Sequence, residues 1–148
     1  MMESDRVTET QLTEKRTQQF FGFWFLAFAG LILLTVGIRL AVIKLGLPIF
    51  YNDKFAFSLN VPTPVIYVFY VVAMVFISNY LYRHWLQINS FTKLALVLIV
   101  AGGVSNFMER LLFNKVVDYF FFANGVLNIA DIFILIGIIL LFIFRDRK

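Results

Sequence analysis

Two aspartates, Asp118 and Asp131, lie thirteen residues apart in Val117-Asp118-Tyr119 and Asn128-Ile129-Ala130-Asp131, flanking the last apolar run of the chain. Ionisable groups at membrane depth are costly and usually face a protein interior or a wet cavity. Two carboxylates brought together in such a place share a proton, because like charges in a low dielectric resist joint ionisation. An acid–base pair that activates water is the chemistry these residue types would support.

Other polar residues gather near the pair. Asn106, Glu109 and Arg110 fall at i, i+3 and i+4, which places them on one helix face. Asn106 reads either as a helix–helix hydrogen-bonding residue or as a group that orients a carboxylate. Glu109 and Arg110 read as an ion pair ending a span or as support for the acids. Asp131 also has a plainer reading, as an acid in the first turn of a helix with Asn128 as its N-cap. Asp118 likewise reads as a salt-bridge partner of Lys115 or Arg110. Each plain reading is adequate alone; together they leave two acids, two asparagines and an arginine at neighbouring span ends.

These residues must be positioned by membrane-spanning helices. The chain has 148 residues, of which 61% are hydrophobic and 15% charged, against about 45–50% apolar in soluble domains. The apolar residues form four runs, so the expected fold is all-α, with spans at about 20–47, 64–82, 94–112 and 126–144 in one domain covering 1–148. Pro48 is expected to stop the first span, and Pro62 and Pro64 to open the second. Arg39 falls near the far end of the first span, placed to snorkel or to turn inward. Residues 48–63 read as a short outer segment, where the alternation Phe55-Ala56-Phe57-Ser58 suggests an extended or β stretch. Residues 1–19 read as a polar cytoplasmic tail. Gly102-Gly103 permits close helix packing, and Asn124-Gly125 signals a turn.

Arg6, Lys15, Arg16, Arg83, Lys93, Arg145, Arg147 and Lys148 cluster on one side of the spans, which puts both termini in the cytoplasm. The two aspartates then lie near the outer face. The basic residues flank spans and form no contiguous stripe, which argues against nucleic-acid binding. The absence of cysteine and a single histidine, His84, argue against thiol chemistry and a His/Cys metal site.

The order Gly102-Gly103-x-x-Asn106-x-x-Glu109-Arg110-Leu111, then Val116-Val117-Asp118-Tyr119, then Asn128-Ile129-Ala130-Asp131 resembles the lipoprotein signal peptidase (signal peptidase II) family. The resemblance implies four transmembrane helices and an aspartate dyad, Asp118 and Asp131. It implies cleavage of signal peptides from diacylglyceryl-modified prolipoproteins at the outer surface of a bacterial cytoplasmic membrane. It also implies supporting or substrate-binding roles for Asn52, Asn106, Arg110 and Asn128, with Phe57 as a matching aromatic. The chain departs from the family pattern in three places. No aspartate precedes Lys44 at the end of span one, Lys54 stands where a glycine follows the asparagine, and Glu109 stands for an aspartate before Arg110. The segment between span one and Asn52 is also short.

In the mechanism so implied, one ionised carboxylate takes a proton from water while the protonated one donates to the scissile carbonyl. No metal or other cofactor is called for. The expected partners are a lipidated prolipoprotein and membrane lipid, with the chain a monomer. The alternative is a non-catalytic relative that binds lipoprotein precursors or another membrane partner; a small channel would require a polar path that spans one and two do not supply.

Overall fold

Residues 2–54, 61–122 and 125–144 are described by the computed structural model, residues 2–21 as backbone alone. The elements run α1 Met2–Lys44, β1 Phe50–Asn52, α2 Thr63–His84, α3 Ser90–Phe113, β2 Val116–Asp118, β3 Phe120–Phe122, β4 Gly125–Leu127 and α4 Ile129–Phe144. Helix α1 over Gly22–Lys44, α2 and α3 are each long and apolar enough to cross a membrane. Helix α4 has 16 residues, about 24 Å at 1.5 Å per residue. The architecture is that of an all-α membrane protein carrying a short β element.

Helix boundaries differ from the expected spans for physical reasons. The tail is continuous with α1: residues 2–19 contain neither Gly nor Pro, and an established helix extends at little cost through such residues. At its other end α1 stops at Lys44, before Pro48 acts. Gly46 adopts φ 63°, and Gly46 N donates to Ile43 O (3.2 Å) while Leu47 N donates to Val42 O (3.1 Å). This is a Schellman closure, which the left-handed glycine permits. The fourth helix begins at Ile129 and not at Val126, because Gly125–Leu127 are drawn into a strand pair.

The β structure is more extensive than expected. β1 lies within the outer segment and pairs antiparallel with β2, with Phe50 opposite Asp118 and Asn52 opposite Val116. The alternating stretch Phe55–Ser58 lies outside the described residues. β3 and β4 form a second antiparallel pair, Phe120 opposite Leu127 and Phe122 opposite Gly125; Asn124 of the expected turn also lies outside the described residues. Asn114 makes the first of these turns possible. It sits in the left-handed region at φ 56°, and its N–H donates to Arg110 O (2.8 Å), ending α3 and redirecting the chain into β2.

Helix α3 is the centre of the packing. A Cβ on Gly102 would collide with Ala130 O and lie 2.8 Å from Ile134 Cγ1, and one on Gly137 would lie 2.6 Å from Ala95 O. These two glycines therefore set how closely α3 and α4 approach. Gly103, in contrast, faces open space. Helix α1 is joined to α3 by Thr35 Oγ1 donating to Ser105 Oγ (2.9 Å). Helix α2 packs Tyr67 and Tyr70 against Phe107, with ring centroids 5.8 and 5.6 Å away. Outward-facing side chains such as Leu33 and Phe76 are apolar and exposed, as surfaces against lipid require.

Candidate active site

Asp118 ends β2 and is 1% exposed. Its position follows from the register. Asn52 faces Val116, so Asp118 is its diagonal neighbour on the same face of the strand pair. Asn52 Nδ2 donates to Asp118 Oδ2 at 2.8 Å. Asn128 Nδ2 donates to the other oxygen, Asp118 Oδ1, also at 2.8 Å. Burial pushes the Asp118 carboxyl above the ordinary carboxylate range; the Asn52 and Asn128 hydrogen bonds oppose this, and the nearby Asp131 charge reinforces it.

Asp131 lies in the first turn of α4 and is half-buried. Asn128 Oδ1 accepts from Ala130 N (2.8 Å) and Asp131 N (3.1 Å), so it caps the helix. Asp131 Oδ2 accepts in return from Asn128 N (3.1 Å). The arrangement is a capping box built from asparagine and aspartate. Asp131 Oδ1 remains, and accepts from Asn106 Nδ2 at 2.8 Å. Asn106 Oδ1 accepts from Asn128 Nδ2 at 3.1 Å. Asn128 thus uses both amide hydrogens and its oxygen, and ties Asp118 to the head of α4 while capping it. The plain reading of Asn128 as a cap and the reading of it as a site residue are both met by one side chain.

Arg110 is buried and does not pair with either aspartate or with Glu109. Its Nη1 donates to Asn52 O (3.3 Å) and its Nη2 to Lys54 O (2.9 Å), clamping the end of β1. Lys54 N donates to Asn52 Oδ1 (3.1 Å), an Asx turn that holds the Asn52 side chain. The site uses only the backbone of Lys54, and its φ is not positive, so glycine's freedom is not required there.

Glu109 does not form the expected ion pair with its neighbour. Its Oε2 accepts from Val117 N (3.0 Å), and the same oxygen lies 3.4 Å from Arg39 Nε. Arg39 has turned inward from α1 and also lies over the Phe113 ring, 4.5 Å from its centroid. Lys115 is likewise not Asp118's partner: its Nζ stands 3.9 Å from the Tyr51 ring centroid.

The fold therefore brings Asn52, Asn106, Arg110, Asp118, Asn128 and Asp131 together; Phe57 lies outside the described residues. Sequence reasoning did not anticipate Tyr119, whose Oη accepts from Ile129 N (3.2 Å), or the Arg39–Glu109 contact. Arg39 alone carried a signal, as a charge inside a span. Chemically, the cluster offers one deeply buried acid and one half-buried acid, held by amides that leave a lone pair free on each acid oxygen.

A model of the family described as Signal peptidase (SPase) II matches residues 18–145. The chain is 37% identical over 83 residues to the lipoprotein signal peptidase of Bacillus pumilus (strain SAFR-032), covering 51% of this chain and 53% of that one. It is 32% identical over 95 residues to the lipoprotein signal peptidase of Streptococcus pyogenes serotype M1, covering 62% of each. The matches thus span about half to three-fifths of these curated relatives. Two solved structures, both titled as bacterial membrane enzymes determined by the in meso method, share the fold. One, at 2.3 Å resolution, has a TM-score of 0.65 and 21% identity over 82% of this chain and 86% of the other. The second, at 1.9 Å resolution, has a TM-score of 0.51 and 26% identity over 68% and 70%.

Proposed function

This chain belongs to the signal peptidase II family, and we propose on that footing that it is an aspartic endopeptidase that removes signal peptides from diacylglyceryl-modified prolipoproteins. The observation that carries the reading is the bridge through Asn128, which joins a buried Asp118 to a more accessible Asp131. Two acids held by one side chain but differing in burial are suited to divide the roles of general acid and general base.

Asp118, the more deeply buried acid, serves as the proton donor, and Asp131 acts as base. A water between them loses a proton to Asp131 and attacks the scissile carbonyl carbon, while Asp118 protonates the carbonyl oxygen. The tetrahedral diol then collapses. Its O–H proton returns to Asp118, the C–N bond breaks, and the proton on Asp131 passes to the leaving amine. The products are a signal peptide with a new carboxyl end and a lipoprotein with a free cysteine amine. Asn106, Asn128 and Asn52 hold the acid oxygens in place, so the carboxylates need little reorganisation as charge moves. Arg110 acts through Asn52 by fixing β1.

The chain acts as a monomer in the bacterial cytoplasmic membrane, with both termini cytoplasmic and the pair near the outer face; the basic residues flanking the spans support this orientation. The rival reading, a non-catalytic binding relative, gives no role to the lone pairs left free on the two acids. A cleavage assay on a diacylglyceryl-modified prolipoprotein, followed by gel shift, tests the proposal. Asp118→Asn and Asp131→Asn should each lower the rate by about 10²–10⁴-fold while the protein remains folded in detergent. Full activity in either variant would exclude the mechanism.

A further inference from the structure

We propose that the β3–β4 hairpin is immersed in the boundary between lipid headgroups and acyl chains, as a non-helical extension of the fourth span that sets the depth of the Asp118–Asp131 pair. The first argument is the chemistry of its two faces. Cross-strand partners share a face, so Phe120, Phe122 and Leu127 lie on one side and Phe121 and Val126 on the other. Phe120, Phe121 and Phe122 are 36%, 56% and 62% exposed. No charged residue occurs from Tyr119 to Ala130. A lone two-stranded hairpin is marginal in water, and one with both faces apolar has no face suited to water.

The second argument is length. The apolar stretch Ile129–Phe144 of α4 covers about 24 Å, against roughly 30 Å of hydrocarbon in a typical bilayer. Its far end is fixed: Asn89 Nδ2 donates to Phe144 O (3.1 Å), and Phe91 stacks on Phe144 with centroids 4.2 Å apart. The sequence that follows, Arg145-Asp146-Arg147-Lys148, is charged and so ends the apolar run. The shortfall of about 6 Å must then be made up at the hairpin end. Gly125–Leu127, extended at about 3.4 Å per residue, supply it.

The occupant is lipid and not a protein groove, because the hairpin joins the ends of α3 and α4, on which Leu111, Leu112, Phe113 and Leu135 are likewise apolar and exposed. Its depth is also bounded from below. Two-stranded sheets keep open edges, and unpaired backbone groups do not survive in hydrocarbon. The strands therefore rest at the boundary, where aromatic side chains partition favourably.

The proposal does not depend on peptidase activity, and its test does not read activity. The chain has no cysteine, so Phe121→Cys and Phe122→Cys can each carry a nitroxide without background labelling. In vesicles of phosphatidylethanolamine and phosphatidylglycerol, collisions with oxygen report lipid and collisions with a nickel chelate report water. Leu33→Cys on α1 and Leu86→Cys in the loop after α2 give the lipid and aqueous references, being 71% and 77% exposed. Both hairpin labels should collide more with oxygen than with nickel, with a ratio between those at Leu33 and Leu86. Nickel-dominated collisions at either position, as at Leu86, would overturn the proposal. Should a labelled variant fail to fold, Phe121→Trp and Phe122→Trp replace it. Their added fluorescence should be quenched by acyl-brominated lipid; quenching by aqueous acrylamide instead would overturn the proposal equally.

Discussion

Asn128 and Asp131 cap one another: Asn128 Oδ1 accepts the Asp131 N–H at 3.1 Å, and Asp131 Oδ2 accepts the Asn128 N–H at 3.1 Å. The start of α4 and the placement of one acid are thus the same set of bonds. The side-chain amide of Asn128 is left over for Asp118 and Asn106. Helix capping and site assembly can be separated by substitution.

Asn128→Ser keeps an oxygen suited to the cap but removes both amide donors. The cap's contribution to stability should persist while cleavage falls by about tenfold or more, in line with the ~1–3 kcal/mol cost of leaving a buried acceptor without its donor. Asn128→Ala removes cap and donors together, and should lose a further ~1 kcal/mol of stability. Paired unfolding and cleavage measurements in detergent distinguish the two effects.

Asp118 supplies a pH dependence whose sign follows from its raised carboxyl pKa. Between the unfolded-state value near 4 and the higher folded value, the native state binds the proton more tightly than the unfolded chain does. Stability contributed by this group is present at the acid end of that window and declines as pH rises through it. Asp118→Asn removes the titration. The stability of wild type relative to Asp118→Asn should therefore fall with rising pH, by up to about 1.4 kcal/mol per pH unit inside the window. Denaturant unfolding of both proteins across pH 4 to about 8 checks the slope; a difference that is flat or of opposite sign contradicts it.

Gly102 and Gly103 are adjacent in sequence but not equivalent in structure. A Cβ at 102 meets Ala130 O and the Ile134 side chain, whereas one at 103 meets nothing within 4 Å. Gly102→Ala must push α4 outward, carrying Asp131 away from Asn106, and should cost about 1–3 kcal/mol by overpacking with a matching loss of activity. Gly103→Ala should be silent in both thermal unfolding and cleavage.

The contrast between these glycines shows how far the sequence could be read. Membrane-length apolar runs identified the spans, and the short connection implied that Asn106, Asn128 and the two aspartates are neighbours. Strands of three residues carry no periodicity to detect, so β2, β3 and β4 were not foreseen and residues 126–128 were read as part of the last helix. Asn52 was singled out only through a family resemblance; its contact with Asp118 depends on a strand register joining distant segments. Lys54 looked like a departure from the family pattern, yet it serves through its backbone, which any residue but proline supplies.

The contact between Arg39 and Glu109 was the least legible part, since nothing local couples α1 to α3, and it leads to the last prediction. Glu109 Oε2 holds the N–H of Val117, the residue before Asp118, and Arg39 Nε stands 3.4 Å from the same oxygen. The two side chains are only 17% and 20% exposed, so removing either leaves a poorly hydrated charge beside β2. Glu109→Gln keeps an acceptor for Val117 but loses the charge facing Arg39. Glu109→Ala loses both, and should reduce stability and cleavage more than Glu109→Gln does. Because the pair is in contact, Arg39→Ala and Glu109→Ala should be non-additive by about 0.5–3 kcal/mol in a double-mutant cycle, with the double variant less damaged than the sum of the singles. Strict additivity would mean that Glu109 holds β2 without help from α1, and the line from Arg39 through Glu109 and Val117 to Asp118 would end at Glu109.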